Sequence, residues 1–381
     1  MRFAQWLCRC RRARPDGRKN VFVYCNDLFG DGIMRLPFFL GLRKTFLQSD
    51  YHITAVVSSG MSELLSCFGC FDEIVEEGKL QWRHPLFWFF SPSGMAKSVK
   101  WAFCHKAEVF IDCLRFRSFG VDCAFLLCRP VVSCAYASEI GFALFPFLYQ
   151  QQYRHYDKLY THLISPAERR HQLDDMTRLI SLLAGRPVQL SMPDLDDLLP
   201  IASSPLDLPR QNYVVLVPGA GAEYRKWPIE RFANVARRLG GDFVVVGTKD
   251  ESPLAIELSK ILGDGVVDLC GKTTLLQLAG VLKNSKVVIT NETGTATYAA
   301  ILGVPTVCIL GGGDFGAFFP NPFCRKTVSV YQKEDCFGCG WKCTKKHPHS
   351  TVAPCIESLT VDEVLKAVQQ AVAQNEQAPN S

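Results

Sequence analysis

The stretch NETGTATYAAILGVPTVCILGGG, residues 291–313, decides which fold the chain is expected to adopt. A polar turn that contains glycine opens it, a helix of small residues follows, and a buried strand ends it. The turn places a carboxylate, two hydroxyls and a glycine side by side, at Glu292, Thr293, Gly294 and Thr295. Two interpretations are open: Glu292 and Thr293 cap the helix, or they hold a ligand at its positive end.

Short strands and helices alternate in the same way through both halves of the chain. In the second half, residues 213–228 (YVVLVPGAGAEYRKWP) predict a strand, a glycine-rich loop and a helix with Pro228 in its first position. In the first half, residues 20–27 predict a strand, residues 36–46 a helix, and the apolar run DCAFLLC, residues 122–128, a further strand. This alternation indicates an α/β architecture with parallel sheets.

The two halves are separated by residues 185–211, which carry five prolines and no hydrophobic periodicity, as expected of a linker. The predicted organisation is a basic tail over residues 1–18, a Rossmann-like domain over 19–205, a second over 206–356, and a C-terminal helix and tail over 357–381. In doubly wound sheets of this kind, ligands bind outside the carboxyl ends of the strands. Every polar loop considered below follows a predicted strand.

The composition is that of a globular protein, with 48% hydrophobic and 21% charged residues. The richest apolar run, residues 131–149, is broken by Glu139 and Pro146, so no bilayer span is expected and the predicted location is cytoplasmic. Arg or Lys occupies seven of the first 19 residues, interleaved with aromatic side chains. That tail either touches anionic lipid headgroups or is a soluble terminus.

The glycine-rich loop of the second half is a candidate phosphate site. Gly219 and Gly221 allow close backbone approach, and Arg225 and Lys226 follow as two cations before a predicted helix. A diphosphate suits such an environment, although an ordinary strand-to-helix turn has the same composition. The loop matches neither the dinucleotide fingerprint nor a P-loop. Together with the turn at residues 292–295, it would line one crevice.

Asp31 stands between two glycines after the first predicted strand. It is either an N-cap or a general base held at the mouth of an interdomain cleft. Arg115 and Arg117 follow another predicted strand and form either an acceptor site for acidic or phosphorylated sugars or a solvated loop. The aromatic residues of 82–90 are either a packed loop or an apolar lip that rests on a membrane.

Seventeen cysteines occur in the chain, most of them in apolar contexts where cysteine acts as a small hydrophobe. One group is different because its spacing resembles that of metal ligands, and it consists of Cys336, Cys339, Cys343 and Cys355, with His347 and His349 between them. Three interpretations are open: a structural zinc, an iron–sulfur cluster, or a loop of reduced thiols without metal.

Four segments follow one another along the chain: FGDGIMRLPFFLGLRK, VPGAGAEYRKWPIERFANVARRL, DLCGKTTLLQLAGVLKNSKVVITNETGTATYAAILGVPTVCILG, and the cysteine-rich segment followed by IESLTVDEVLKAV. In this combination and order they resemble glycosyltransferase family 9, the ADP-heptose:lipopolysaccharide heptosyltransferases and their relatives. The resemblance covers nearly the whole chain from about Lys19. It implies a GT-B fold, with two Rossmann-like domains facing a cleft and the donor site in the second.

The resemblance also implies roles for single residues. Asp31 falls on the catalytic base proposed for the family, and Arg225 falls where the family usually has a lysine that contacts donor phosphate. The turn at residues 292–294 falls on an Asp-Ser/Thr-Gly donor motif. Two departures stand out: the family's aspartate is Glu292 here, and its nearby histidine is Thr297. These departures leave the donor sugar open.

The function implied is an inverting transfer of heptose or a related sugar from a nucleotide-sugar donor, with ADP-heptose as the expected one. The expected acceptor is of the lipopolysaccharide type or another lipid-linked sugar or oligosaccharide. Asp31 would take the acceptor proton, and Arg225, Lys226 and helix N-termini at Gly221 and Thr293 would stabilise the leaving diphosphate without a catalytic metal. The expected surroundings are the inner face of a membrane, with no nucleic acid as partner. Two alternatives are a nucleotide-sugar epimerase of the same fold and a non-catalytic protein that binds a nucleotide sugar or a metal.

Overall fold

The computed structural model consists of two compact units. The first comprises Met1–Glu168 and Leu173–Leu190, and the second comprises Arg169–Gln172 and Ser191–Ser381. The structure describes residues 14, 16–77, 100–101, 105–114, 119–137, 157–165, 171–190, 208, 212–321, 324, 326–345 and 351–377.

The first unit is built on a parallel sheet. Within its described residues the six strands are β1 (Lys19–Cys25), β2 (Tyr51–Val57), β3 (Glu73–Glu76), β4 (Val109–Asp112), β5 (Val132–Tyr136) and β6 (His162–Ile164). They lie in the order β3-β2-β1-β4-β5-β6, so the chain reverses its direction of travel between β1 and β4. The helices are α1 (Phe29–Met34), α2 (Leu36–Thr45), α3 (Met61–Ser66), α4 (Phe119–Cys128) and α5 (Gln172–Ala184).

Helix α4 corrects the strand predicted over residues 122–128. Val121, Ala124, Phe125 and Cys128 are buried in the core of the unit, and their spacing is that of one helix face. A short, continuous apolar run cannot be assigned to a strand or a helix by its periodicity alone. The packing of this run against the sheet decided the outcome.

The second unit repeats the arrangement. The strands of its described residues are β7 (Val214–Val217), β8 (Phe243–Val245), β9 (Val266–Asp268), β10 (Val287–Asn291), β11 (Thr306–Ile309) and β12 (Thr327–Val330). They are parallel and lie in the order β12-β11-β10-β7-β8-β9, with the reversal between β7 and β10. The helices are α6 (Ile229–Leu239), α7 (Ser252–Leu262), α8 (Leu275–Lys283), α9 (Gly294–Ile301), α10 (Pro354–Glu357) and α11 (Val361–Gln377).

Both strand orders are those of the doubly wound nucleotide-binding fold, so the predicted fold of two Rossmann-like sheets is confirmed. Trp227 and Phe232 anchor the core of the second unit, and both are fully buried beneath the sheet. Among the residues that the structure describes, no helix is both long and apolar enough to span a membrane. The reversal points β1/β4 and β7/β10 are where such folds bind ligands.

Candidate active site

The glycine-rich loop follows β7, at the reversal point of the second sheet. Gly219 is buried, whereas Gly221 is exposed and has open space around the position of a β-carbon. A single 3₁₀ turn, Glu223–Arg225, comes next, and helix α6 begins only at Ile229. The predicted helix N-terminus at Gly221 is therefore wrong, and Pro228 is the N-cap residue rather than the first helical one. The loop offers exposed backbone and cations, without the dipole of a long helix.

Asn291, the last residue of β10, ties this loop to the neighbouring strand. Its side-chain amide donates hydrogen bonds to the carbonyl oxygens of Pro218 and Gly219, at 2.8 and 3.2 Å. Its side-chain oxygen accepts one from the backbone N–H of Trp227, at 3.1 Å. A fully buried amide with these partners fixes the loop across the reversal point.

In the turn at residues 292–295, Thr293 caps the following helix and Glu292 does not. Thr293 is the N-cap of α9, and its hydroxyl accepts a hydrogen bond from the backbone N–H of Ala296 at 3.4 Å. The predicted capping by Thr293 is confirmed, but Glu292 takes no part in it. Gly294 and Thr295 form the first turn of α9, where they are half-buried. This turn follows β10, the parallel neighbour of β7, so it and the glycine-rich loop come after adjacent strand ends.

The side chain of Glu292 is buried instead, beside Arg225. One guanidinium nitrogen of Arg225 (Nη2) lies 3.6 Å from Oε2 of Glu292 and donates to the Glu292 carbonyl oxygen at 3.0 Å. Neither carboxylate oxygen of Glu292 has a hydrogen-bond partner among the described residues, and the buried Nε of Arg225 has none there either. Burial raises the pKa of Glu292 to about 7, an effect that Arg225 opposes and Asp314 reinforces.

We expect Glu292 to make the protein less stable as the pH rises from about 4.5 to about 7. The folded state holds this proton more tightly than the unfolded chain does. The contribution of Glu292 to the free energy of unfolding is therefore full below the unfolded pKa, and it decreases as the pH rises to the folded pKa. The difference between the two pKa values corresponds to roughly 3 kcal/mol. Glu292→Gln should remove this slope, and urea unfolding at about pH 5 and about pH 8 measures it.

The control for that measurement is Glu257→Gln, which changes an exposed carboxylate on α7. It should leave the dependence of stability on pH as in the parent chain. The interpretation of Glu292 is wrong if Glu292→Gln and the control give parallel curves.

The second predicted cation, Lys226, has a different setting. Its ammonium group lies 2.6 Å from a carboxylate oxygen of Glu223, three residues earlier. Lys226 is thus paired on the outer side of the 3₁₀ turn, while Arg225 points to the buried carboxylate.

Glu251 is a residue of this region that was not predicted from the sequence. It closes a capping box in which its Oε2 accepts from the backbone N–H and hydroxyl of Thr248, at 2.7 and 3.1 Å. A β-carbon at Gly219 or Gly247 would overlap its carboxylate, so both glycines make room for it. The spacing T-x-x-E was a signal for the box, but no sequence pattern shows that its carboxylate reaches the loop after β7.

Asp31 lies at the reversal point of the first sheet. It is the third residue of α1, half-buried, and the N-cap position belongs to Leu28, so the capping role for Asp31 is wrong. A buried ion pair connects the two ends of this six-residue helix: Nε of Arg35 lies 2.5 Å from Oδ2 of Asp27. Burial opposes the charge of Arg35, but Asp27 and Tyr136 raise its pKa well above the ordinary value.

The family model of glycosyltransferase family 9 (heptosyltransferase) matches residues 148–345, which is more than half of the chain. The chain belongs to glycosyltransferase family 9. The match contains the glycine-rich loop, the turn at 292–295 and three of the four grouped cysteines, whereas Asp31 precedes it. The enzyme is therefore a glycosyltransferase of the heptosyltransferase family. No curated protein sequence matches it.

Three solved structures share the fold of this family 9 enzyme. A family 9 glycosyltransferase from Veillonella parvula is 17% identical, with 96% of this chain and 99% of that one covered and a TM-score of 0.66. The E. coli heptosyltransferase WaaC with ADP is 16% identical, with 92% and 99% covered and a TM-score of 0.65. E. coli ADP-heptose lipopolysaccharide heptosyltransferase II is 16% identical, with 94% and 99% covered and a TM-score of 0.62. At these identities the likeness establishes the GT-B fold.

Several residues predicted for this family 9 enzyme lie outside the described residues. They are the acceptor candidates Arg115 and Arg117, the aromatic residues 82–90, most of the basic tail, and His347 and His349. Their roles stay predictions.

The four grouped cysteines are all described, and all are free thiols: Cys336, Cys339, Cys343 and Cys355. The Sγ of Cys355 accepts a hydrogen bond from the backbone N–H of Gly312 at 3.4 Å. Burial raises the pKa of the Cys355 thiol, and the nearby Cys336 and Cys343 act in the same direction. In the part of the chain that the structure describes, no three Cys, His, Asp or Glu side chains are grouped to hold a metal. As placed, these thiols do not fit a zinc site, and zinc stays a prediction.

Proposed function

We propose that this enzyme transfers heptose from ADP-heptose to a lipopolysaccharide-type acceptor, with inversion at the anomeric carbon. The observation that carries the proposal is the donor site at β7/β10. Exposed backbone of the glycine-rich loop, the guanidinium of Arg225 and the first turn of α9 lie there on adjacent strand ends. Two solved relatives of the same fold are named as E. coli heptosyltransferases, one of them with ADP, and this supports the choice of donor.

The chemistry is a single displacement. The carboxylate of Asp31 takes the proton of an acceptor hydroxyl as its oxygen attacks the anomeric carbon of the donor. The bond from that carbon to the diphosphate breaks, and ADP leaves with the electron pair. Arg225 and the backbone N–H groups at the start of α9 stabilise the charge that develops on the leaving phosphate. Before the donor binds, the guanidinium of Arg225 lies beside the carboxyl group of Glu292.

On this proposal, the first unit binds the acceptor, and the basic N-terminal tail contacts the membrane that carries it. The tail carries Arg2, Arg9, Arg11 and Arg12 together with Phe3 and Trp6. Basic and aromatic side chains of this kind bind anionic headgroups at a membrane surface. The cytoplasmic face of the inner membrane is therefore the proposed working place.

Calorimetric titration with ADP, UDP and GDP tests the donor site. We expect ADP to bind and Arg225→Ala to weaken it by about 10- to 100-fold, because a charge-assisted hydrogen bond contributes about 1.5–3 kcal/mol. Arg238→Ala is the control, since Arg238 is an exposed arginine of the same unit that pairs with Asp362. It should leave the affinity for ADP unchanged.

Other outcomes of the titration contradict the proposal at different levels. A preference for UDP or GDP would keep the phosphate site but exclude ADP-heptose as donor. Binding of none of the three nucleotides would overturn the transferase assignment of this site. Incubation with ADP-heptose alone is a separate test, and conversion of the sugar nucleotide without any acceptor would favour the epimerase alternative.

A further inference from the structure

Trp341, in the middle of the cysteine-rich segment, has a backbone conformation that is rare for its residue type. Its φ angle is +62°, in the left-handed region that favours glycine. The residues at positions 338 and 340 are glycines and also have positive φ angles. A bulky residue persists in this region only where its surroundings hold it there, and such positions cluster at functional sites.

The indole of Trp341 packs against a run of three glycines, residues 311–313. Gly311, Gly312 and Gly313 follow Leu310 in the loop after β11, and a β-carbon at Gly311 or Gly313 would overlap the indole ring. The ring nitrogen donates a hydrogen bond to Oδ2 of Asp314 at 2.6 Å. The backbone N–H of Gly340 donates to the carbonyl oxygen of Gly313 at 3.1 Å. The position of the ring is thus fixed from the loop that follows β11.

The ring also lies against the guanidinium of Arg225, whose carbon Cζ is 4.9 Å from the ring centroid. This distance is within the range of a cation–π interaction, which strengthens when the cation is partly withdrawn from water. The side chain of Arg225 is 24% exposed. Trp341 and Glu292 therefore both contact the same guanidinium.

We propose that Trp341 is the positioning residue of Arg225 and thereby sets the affinity of the enzyme for the donor diphosphate. The inference rests on the proposed function, because Arg225 is assigned there as the ligand of the diphosphate. A planar guanidinium loses freedom when it stacks on an aromatic face, so less ordering remains when it binds phosphate. The cysteine-rich segment then has a role at the donor site through Trp341, whether or not it holds a metal.

The test compares Trp341→Leu with Phe337→Leu in titrations with ADP. Phe337 belongs to the same segment and packs against the same three glycines, because a β-carbon at Gly312 would overlap its ring. Its aromatic partners, however, are Phe315 and Tyr331. We expect Trp341→Leu to weaken ADP binding by about 3- to 30-fold, from the size of a cation–π interaction. Phe337→Leu should lower the melting temperature and keep the affinity for ADP.

Three further variants separate positioning from a structural role. Trp341→Phe keeps an aromatic face and should restore most of the affinity. Gly313→Ala displaces the indole without replacing it and should weaken ADP binding as Trp341→Leu does. In an Arg225→Ala background, Trp341→Leu should cause no further loss. With substrate, the KM for the donor should rise while the KM for the acceptor stays constant.

The outcomes keep the two proposals apart. Equal effects of Trp341→Leu and Phe337→Leu on ADP affinity, or no effect of either, would overturn the positioning role alone, provided that the parent chain binds ADP and Arg225→Ala weakens it. If the parent chain binds no ADP, the proposed function fails first, and the role of Trp341 falls with it.

Discussion

Replacing Asp31 by asparagine should lower kcat by a factor of about 100 to 10,000 while the protein stays folded. The size is that of a lost general base, because an amide cannot accept the acceptor proton. The substitution keeps the shape of the side chain, and Asp31 is a half-buried residue on a six-residue helix whose N-cap is another residue. Release of ADP from ADP-heptose in the presence of a lipopolysaccharide acceptor measures kcat, and thermal unfolding measures stability.

The matched control is Asp50→Asn, which neutralises an exposed carboxylate in the same unit. It should leave kcat and the melting temperature unchanged. Affinity for ADP should also be unchanged in Asp31→Asn, because the proposed donor site is built from residues of the second unit. Full turnover by Asp31→Asn would exclude it as the base, and loss of folding would assign it a structural role instead.

Replacing Arg35 by methionine should destabilise the first unit by about 3–5 kcal/mol, the usual cost of leaving one partner of a buried ion pair alone. The side chains of Arg35 and Asp27 are only 4% and 12% exposed, and their contact is 2.5 Å long. Total stabilities of domains are about 5–15 kcal/mol, so this loss is a large part of the whole. Urea unfolding of the single variant, compared with the parent, gives the value.

The double variant Asp27→Asn, Arg35→Met decides whether the cost arises from the unpaired carboxylate. It should recover most of the stability, because neither member of the pair then leaves an unpaired charge in the interior. Turnover should stay low in the double variant even when it is folded, since the ion pair connects the two ends of the helix that carries Asp31. Equal stability of the single and double variants would mean that Arg35 acts through packing and not through its charge.

The architecture and part of the candidate donor site could be predicted from the sequence because they depend on local patterns. Alternating apolar strands and helices specify parallel α/β sheets, and strand ends in such sheets are ligand sites whatever the side chains are. Thr293 was predictable as a cap because capping acts between residues three positions apart. Gly219, Gly221 and the two cations after them could also be predicted, because they are close together in the sequence.

Tertiary structure alone decided what these residues meet. Arg225 and Glu292 are 67 positions apart, and only the pairing of β7 with β10 brings the guanidinium to the carboxyl group of Glu292. Burial in the folded chain raises the pKa of Glu292, although Arg225 opposes that shift. The apolar run at residues 122–128 became a helix because of the face it buries. Trp341 is a loop residue in the sequence, yet folding places it on the glycines after β11 and against Arg225. Local patterns record backbone preference and burial, whereas charge pairing, stacking and close approach depend on distances that exist only in the folded chain.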